Sequence, residues 1–169
     1  MTRAVPKAGL ISGAIFLVLD QLVKWLVTGP LGLSMEGDQL EVLPIFRFSN
    51  LHNHGVSLGF LQMSPDKAWL LVLLTAAITL AVLVWMWREK NRQDQVALGM
   101  ILGGSLGNIA DRVRLGYVQD YADLHFGTWQ PFLTFNLADA AITIGVLILL
   151  VRALLVRDKP RTDVEKSNA

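Results

Sequence analysis

The last apolar run of the chain opens on Thr134-Phe135-Asn136-Leu137-Ala138-Asp139, which puts a carboxylate at the mouth of a membrane-length helix. No residue from Ala140 to Val151 is charged. An ionisable side chain at such a place is costly and is commonly kept because it has a function. The alternative is a helix cap, since aspartate accepts hydrogen bonds from exposed N–H groups and suits the positive end of the helix dipole. On this stretch alone, both interpretations of Asp139 stay open.

A second carboxylate, Asp120, lies nineteen residues earlier, in Gly116-Tyr117-Val118-Gln119-Asp120-Tyr121. The connecting segment is long enough to bring the two acids together at one membrane surface. Two close carboxylates cannot both ionise easily, so they share a proton and titrate as a pair. Such a pair can take a proton from water and donate a hydrogen bond at the same time.

Composition indicates a membrane protein, because 53% of the 169 residues are hydrophobic and only 17% are charged. The absence of cysteine excludes disulfides, a thiol nucleophile and thiolate metal sites. Arg3 and Lys7 precede an apolar stretch and so imitate a signal peptide. That stretch contains Asp20 and Lys24 and lacks a small-x-small cleavage site, so we predict a retained helix.

Membrane-spanning helices are predicted at residues 10–28, 69–87, 96–110 and 138–156, followed by a polar tail at 158–169, all in one integral-membrane domain, 1–169. Asp20 and Lys24 are four residues apart, so they share a helix face and neutralise one another. The third run is rich in glycine, which gives it small faces on which another helix packs closely. Arg152, near the end of the fourth run, is expected to extend toward the membrane surface.

The distribution of basic residues predicts the orientation. Ten lysines and arginines fall on the side of the two termini and the 88–95 turn, against four on the other side. The positive-inside rule therefore predicts cytoplasmic termini and two outer loops, 31–66 and 112–137. Every polar feature of interest then lies at the outer face.

The outer loops carry their own patterns. Alternation between Glu41 and Leu51 predicts short edge strands. Aromatic residues between Tyr121 and Phe135 predict an interfacial flap, within which Asp123 is expected to be a solvated charge. The predicted fold is a membrane all-α protein with four transmembrane helices, a small β-containing extracytoplasmic subdomain and an outer-loop flap.

Two other motifs have bland explanations. Gly55-Val56-Ser57-Leu58-Gly59 matches a hydrolase nucleophile elbow, but that elbow needs a large α/β sheet, for which four spans leave no room. His52 and His54 are spaced to bind a metal from one strand face. With no third ligand nearby, surface histidines explain them better.

Five short motifs together resemble the lipoprotein signal peptidases (signal peptidase II), in order and spacing, from about residue 16 to residue 145. They are Asp20-Gln21-Leu22-Val23-Lys24, Asn53-His54-Gly55, Gly103-Gly104-Ser105-Leu106-Gly107-Asn108-Ile109-Ala110-Asp111-Arg112, Val118-Gln119-Asp120-Tyr121 and Phe135-Asn136-Leu137-Ala138-Asp139. Val56-Ser57-Leu58 and Gln119 depart from the usual family pattern without touching the acids.

The resemblance implies an aspartyl endopeptidase of the bacterial cytoplasmic (inner) membrane. Its substrates would be diacylglyceryl-modified prolipoproteins, cut before the lipidated cysteine by a water that Asp120 and Asp139 activate. The positions matching substrate-contacting or supporting residues are Asn53, Gly55, Asn108, Arg112, Asn136 and Ala138, and those matching structural residues are Asp20, Lys24 and Asp111. The resemblance implies no metal or organic cofactor and no nucleic acid. The expected partners are membrane lipids and peptide antibiotic inhibitors of the family, and the protein is expected to be a monomer.

Two other functions compete with this interpretation. A small-solute transporter would use Asp20, Lys24 and Asp139 as an ion relay. Against it, the sequence has no internal repeat and its acids cluster at one surface. A non-enzymatic assembly factor would tolerate the loss of either acid.

Overall fold

The computed structural model describes residues 4–55 and 68–155. In chain order, its elements are α1 (Lys7–Thr28), β1 (Gln39–Leu43), β2 (Phe46–Asn53), α2 (Ala68–Arg88), α3 (Arg92–Leu115), β3 (Val118–Leu124) and α4 (Leu137–Leu155). Residues 56–58, which depart from the usual family pattern and include Ser57, lie outside the described residues. So do residue 156 of the predicted fourth span and the predicted tail.

The helices form a bundle in which α3 is central, packed against α1, α2 and α4. Glycine makes the closest of these approaches possible. A methyl group added at Gly99 or Gly103 would collide with the backbone of α1, and one at Gly104 would lie 2.5 Å from the Ala138 carbonyl oxygen of α4. The predicted close packing on the small faces of the third helix is confirmed, and two helices share those faces.

Within the described residues, three helices are long and apolar enough to cross a membrane: Lys7–Thr28, Trp69–Arg88 and Leu137–Leu155. They coincide with three of the four predicted spans, with small differences at the ends. The predicted third span, 96–110, lies within α3, which continues into charged turns at both ends. With 24 residues α3 is about 36 Å long, so its length suits a span although its overall composition does not.

A three-stranded antiparallel sheet in the order β1-β2-β3 stands beside the ends of α1 and α3. The predicted strands between 41 and 51 are confirmed. β2 carries one extra residue between Phe48 and Leu51, a bulge that shifts its register against β3.

The predicted flap begins too early, because residues 121–124 belong to β3 and are almost entirely buried. The sequence Val118–Leu124 mixes polar and apolar residues without the alternation of a half-exposed strand, since both of its faces are covered. The rest of the loop fits the expectation better, with Phe126, Trp129 and Phe132 all exposed.

Arg152, expected to extend toward the membrane surface, has polar partners at the end of the bundle. Its guanidinium pairs with Asp94 and Gln93 in the first turn of α3. The ion pair joins the start of α3 to the end of α4, at the opposite end of the bundle from the sheet.

Candidate active site

The start of α4 is held by a reciprocal pair of hydrogen bonds between Asn136 and Asp139. The Asp139 N–H donates to Asn136 Oδ1 (2.9 Å), and the Asn136 N–H donates to Asp139 Oδ2 (3.4 Å). This is the geometry of a capping box, in which the residue before the helix and the third helical residue satisfy each other's N–H groups. The capping interpretation is therefore partly right, but the N-cap is Asn136.

The first two N–H groups of α4, those of Leu137 and Ala138, donate to acceptors on other elements of the fold. The Leu137 N–H donates to the Tyr121 hydroxyl of β3 (3.0 Å), and the Ala138 N–H donates to Asp20 Oδ1 of α1 (3.0 Å). Unpaired N–H groups at a buried helix start are costly, so these acceptors stabilise α4 where it is. They also fix the backbone that carries Asp139.

Asp120 lies on β3 with only 4% of its surface exposed. Its Oδ1 accepts from Asn136 Nδ2 (2.7 Å), and its Oδ2 accepts from Asn53 Nδ2 (3.0 Å). Asn136 thus contacts both acids, one through its side-chain amide and the other through its cap. Burial, and after it the negative charge of Asp139, raises the pKa of Asp120 to about 7.

Asn108 of α3 contacts Asp139 from the other side. Its Nδ2 donates to Asp139 Oδ1 (2.9 Å). Its Oδ1 accepts from Asn136 Nδ2 (3.3 Å) and from Lys24 Nζ (3.4 Å). Because both of these neighbours are donors, the amide oxygen must face them and its NH₂ must face Asp139.

Arg112 brings positive charge to the two acids and ties down the chain after β2. Its Nη2 donates to the Gly55 carbonyl oxygen (2.7 Å), and the Gly55 N–H donates to Asn53 Oδ1 (2.9 Å). Its guanidinium is close enough to interact electrostatically with both Asp139 and Asp120. All the residues that the motifs predicted for the site therefore surround one pair of carboxylates.

Behind this pair lies a buried charged cluster. Lys24 Nζ contacts Asp20 Oδ2 at 2.8 Å and Asp111 Oδ2 at 2.6 Å. The predicted pairing of Asp20 with Lys24 is confirmed, and Asp111 is its third member. Gln21 bridges the two carboxylates, at 3.2 Å from Asp20 and 3.0 Å from Asp111.

Sequence reasoning assigned no role to Tyr121 or Gln21. Gln21 stands within the first quoted motif, and Tyr121 directly follows Asp120, so adjacency was the one available signal. Gln119, a departure from the family pattern, directs its side-chain amide toward the Lys24 carbonyl oxygen (3.5 Å). Its side chain thus faces α1, and β-strand alternation places Asp120 on the other face.

Asp123 is not a solvated loop charge, and that prediction was wrong. It is 2% exposed, Arg47 Nε donates to its Oδ2 at 2.6 Å, and Gln130 Nε2 donates to its Oδ1 at 3.1 Å. The error follows from placing Asp123 in the flap, since a strand paired with β2 brings Arg47 directly opposite it. Asp123 thus joins its own strand, β3, to Arg47 of β2 and to Gln130 of the loop that follows β3.

His52 of β2 and His54, just after the strand, pack on one aromatic ring, that of Tyr117. His52 stacks on Tyr117 with ring centroids 3.7 Å apart, and His54 meets the same ring edge-on. Among residues 4–55 and 68–155, no three His, Cys, Asp or Glu side chains are grouped to hold a metal ion.

Known proteins are similar to this chain in sequence. The family profile described as signal peptidase (SPase) II matches residues 13–155. The lipoprotein signal peptidase of Rhizorhabdus wittichii is 54% identical over 157 residues, which cover 92% of this chain and 90% of that protein. The lipoprotein signal peptidase of Sphingopyxis alaskensis is 50% identical over 152 residues, covering 89% of this chain and 87% of that protein.

Solved structures have a similar fold. A bacterial membrane enzyme solved by the in meso method superposes with a TM-score of 0.73 at 26% identity, covering 95% of this chain and 93% of that one. A second such structure gives a TM-score of 0.71 at 29% identity, over 89% of this chain and 94% of that one. On the evidence of the profile and the relatives, the chain belongs to the signal peptidase II family of proteases.

Proposed function

We propose that this protein is an aspartyl endopeptidase that removes the signal peptide from diacylglyceryl-modified prolipoproteins, cutting just before the lipidated cysteine. Membership of the signal peptidase II family supports the substrate class. The observation that carries the chemistry is that one side chain, that of Asn136, contacts both acids. Asn136 donates to Asp120 at 2.7 Å and caps its helix with Asp139 at 2.9 Å.

In the proposed mechanism the two acids differ in protonation. Asp120 holds the proton, because burial and the neighbouring carboxylate raise its pKa to about 7. Asp139 is the ionised partner, supported by the Asn108 NH₂ that donates to it and by the nearby positive charge of Arg112. This division of roles is the usual one for a pair of carboxyl groups in unlike environments.

The reaction then balances with one water. Asp139 takes a proton from the water as its oxygen attacks the scissile carbonyl carbon, while the Asp120 hydroxyl donates a hydrogen bond to the developing oxyanion. The carbon–nitrogen bond breaks as Asp139 returns the proton to the leaving nitrogen. The products are a carboxylate on the signal peptide and a free amino group on the lipidated cysteine.

We place this site at the outer face of the bacterial cytoplasmic membrane, with both termini in the cytoplasm and α3 as a fourth span. The ten-to-four asymmetry of basic residues supports the orientation. The span is supported by the length of α3 and its packing against three apolar helices. A groove of about 380 Å³ lined by Trp69, Val72, Leu73, Arg112 and Val113 would let lipid chains lie beside the site.

Single-residue replacements test the proposal. Purified protein in detergent is mixed with a lipidated preprotein, and the appearance of the cleaved signal peptide is followed. Asp120→Asn and Asp139→Asn should each lose nearly all turnover, because the pair acts as a unit. Both variants should still bind a peptide antibiotic inhibitor of the family, which shows that the site remains folded.

Two outcomes would contradict this assignment. If either Asn variant kept its turnover within about tenfold of the parent, the dyad would be excluded, since that loss is only ~1.4 kcal/mol in the barrier. An active Asp120→Asn beside an inactive Asp123→Asn would show that the other acid of β3 is the catalytic one.

A further inference from the structure

The buried cluster of Asp20, Lys24 and Asp111 has a contact with the backbone directly before each of the two acids. Asp20 Oδ1 accepts from the N–H of Ala138, which precedes Asp139 (3.0 Å). Asp111 Oδ2 accepts from the N–H of Gln119, which precedes Asp120 (3.3 Å). Asp20 thus holds the helix that carries Asp139, and Asp111 holds the strand that carries Asp120.

Lys24 joins these two holding points. Its ammonium lies 2.8 Å from Asp20 Oδ2 and 2.6 Å from Asp111 Oδ2. Gln21, one residue along α1 from Asp20, makes a second bridge between the same carboxylates. The path from Ala138 to Gln119 therefore runs through short polar contacts on α1 and α3, without any group that touches the reacting atoms.

A third contact reaches Asp139 itself. Lys24 Nζ donates to Asn108 Oδ1 (3.4 Å), and the NH₂ of the same amide donates to Asp139 Oδ1 (2.9 Å). The ammonium thereby keeps the oxygen of Asn108 turned toward α1. A reversed amide would place a donor against Lys24 and leave the Asp139 oxygen without this hydrogen bond.

Stability alone does not explain such a cluster. The exposed fractions of Asp20, Lys24 and Asp111 are 0%, 4% and 2%. A buried ion pair often contributes no more to stability than apolar residues of the same volume would, because the desolvation of the charges is costly. What charged groups supply, and apolar ones do not, is a fixed geometry for the N–H groups and amides around them.

We propose that Lys24 is a positioning residue for the reaction, which with Asp20 and Asp111 forms a brace that sets the separation of the Asp120 and Asp139 carboxylates. This inference rests on the proposed function of those two acids. Two carboxyl groups that share one proton and one water need their separation held closely, and a misplacement of about 1 Å can cost a hundredfold in rate.

The test is a kinetic comparison per folded molecule, with folding measured by thermal unfolding of tryptophan fluorescence in detergent. Lys24→Met removes the ammonium and leaves a side chain of similar length. We expect kcat to fall at least tenfold while KM stays within about threefold, because the contacts that join Asn53, Gly55 and Arg112 do not involve Lys24. The positive charge of Lys24 also lowers the pKa of Asp120, so the limb of the pH–rate profile due to the pair should move to higher pH.

Because Lys24→Met leaves two buried carboxylates facing each other, a charge-balanced variant is needed. Lys24→Met/Asp111→Asn keeps one negative charge in the cluster, as in the parent, and should show the same loss of kcat. Lys24→Arg retains the charge, but its planar guanidinium cannot occupy the ammonium position on the same three oxygens. It carries the test if the uncharged variants unfold, and it too should lose at least tenfold in kcat.

Arg152→Met is the matched control, since it also breaks an interhelical ion pair but at the other end of α4. It should lower thermal stability and leave kcat within about twofold of the parent. The proposal is overturned if a folded Lys24 variant shows a parent-like kcat and an unchanged pH profile. Asp139→Asn in the same assay separates the two claims, because activity there would refute the dyad itself.

Discussion

The raised pKa of Asp120 predicts that the proposed active site weakens the fold in a pH-dependent way. An aspartate has a pKa of 3.8 in an unfolded chain, against about 7 for Asp120 in the folded protein. Between these values the folded protein holds a proton that the unfolded chain has released. Stability is therefore full below the lower pKa and is lost as pH rises through the upper one.

The replacement Asp120→Asn removes this dependence. From pH 5 to pH 7 the parent should lose roughly 2 kcal/mol of unfolding free energy through this one group, and the Asn variant should not. Asn also puts one NH₂ against a donor, because Asn53 and Asn136 both donate to the carboxyl group of Asp120. That mismatch costs the same at every pH, so it cancels when the gap between variant and parent is followed across pH.

The measurement is equilibrium unfolding in mixed detergent micelles, followed by tryptophan fluorescence at several values between pH 5 and pH 8. The gap between Asp120→Asn and the parent should move in favour of the variant as pH rises. Thr79→Val is the control, since it removes a buried hydroxyl that donates to the Thr75 carbonyl oxygen and does not titrate. Parallel curves for parent and Asp120→Asn would refute both the raised pKa and the protonation assigned to Asp120.

Three further predictions follow from the site and the orientation. Asp123→Asn should keep its cleavage rate within about tenfold of the parent (~1.4 kcal/mol in the barrier), yet melt at lower temperature, because Arg47 loses its buried partner. Ser57→Ala should retain most cleavage; a loss of several orders of magnitude in a folded protein would revive a serine mechanism. Reporter fusions at residues 90 and 169 should read cytoplasmic and one at residue 40 outside, whereas an outer C-terminus would contradict the single outer-face site.

The helices and the identity of the site motifs were predictable because both depend on local sequence. Apolar runs of about 20 residues marked α1, α2 and α4, and glycine spacing marked the close faces of α3. Asp20 and Lys24 could be paired from their separation of four residues alone. The motif around Asp139 showed that a helix begins there, although it did not separate the cap from the acid.

What the sequence did not predict depends on contacts between distant segments. β3 has no period of two in its hydrophobicity, since β2, α3 and α1 all pack against it, and so its second half, from Tyr121, was assigned to a flap. The buried state of Asp123 followed from the same error, because Arg47 is its partner only through the register of β2 with β3. The bulge between Phe48 and Leu51 shifts the register between these strands, and no residue type in that stretch predicts a bulge.

The start of α4 shows why the proposed dyad needs the whole fold rather than one motif. Its first N–H groups are accepted by Tyr121 of β3, Asp20 of α1 and Asn136 of its own cap. Each acceptor also belongs to the surroundings of the two acids. Tyr121 directly follows Asp120, Asp20 is paired with Lys24, and Asn136 contacts both acids. The contacts that satisfy the N–H groups at the start of α4 are therefore the same contacts that align the two carboxylates. A replacement that loosens the cap should change catalysis in proportion, even where it leaves both acids in place.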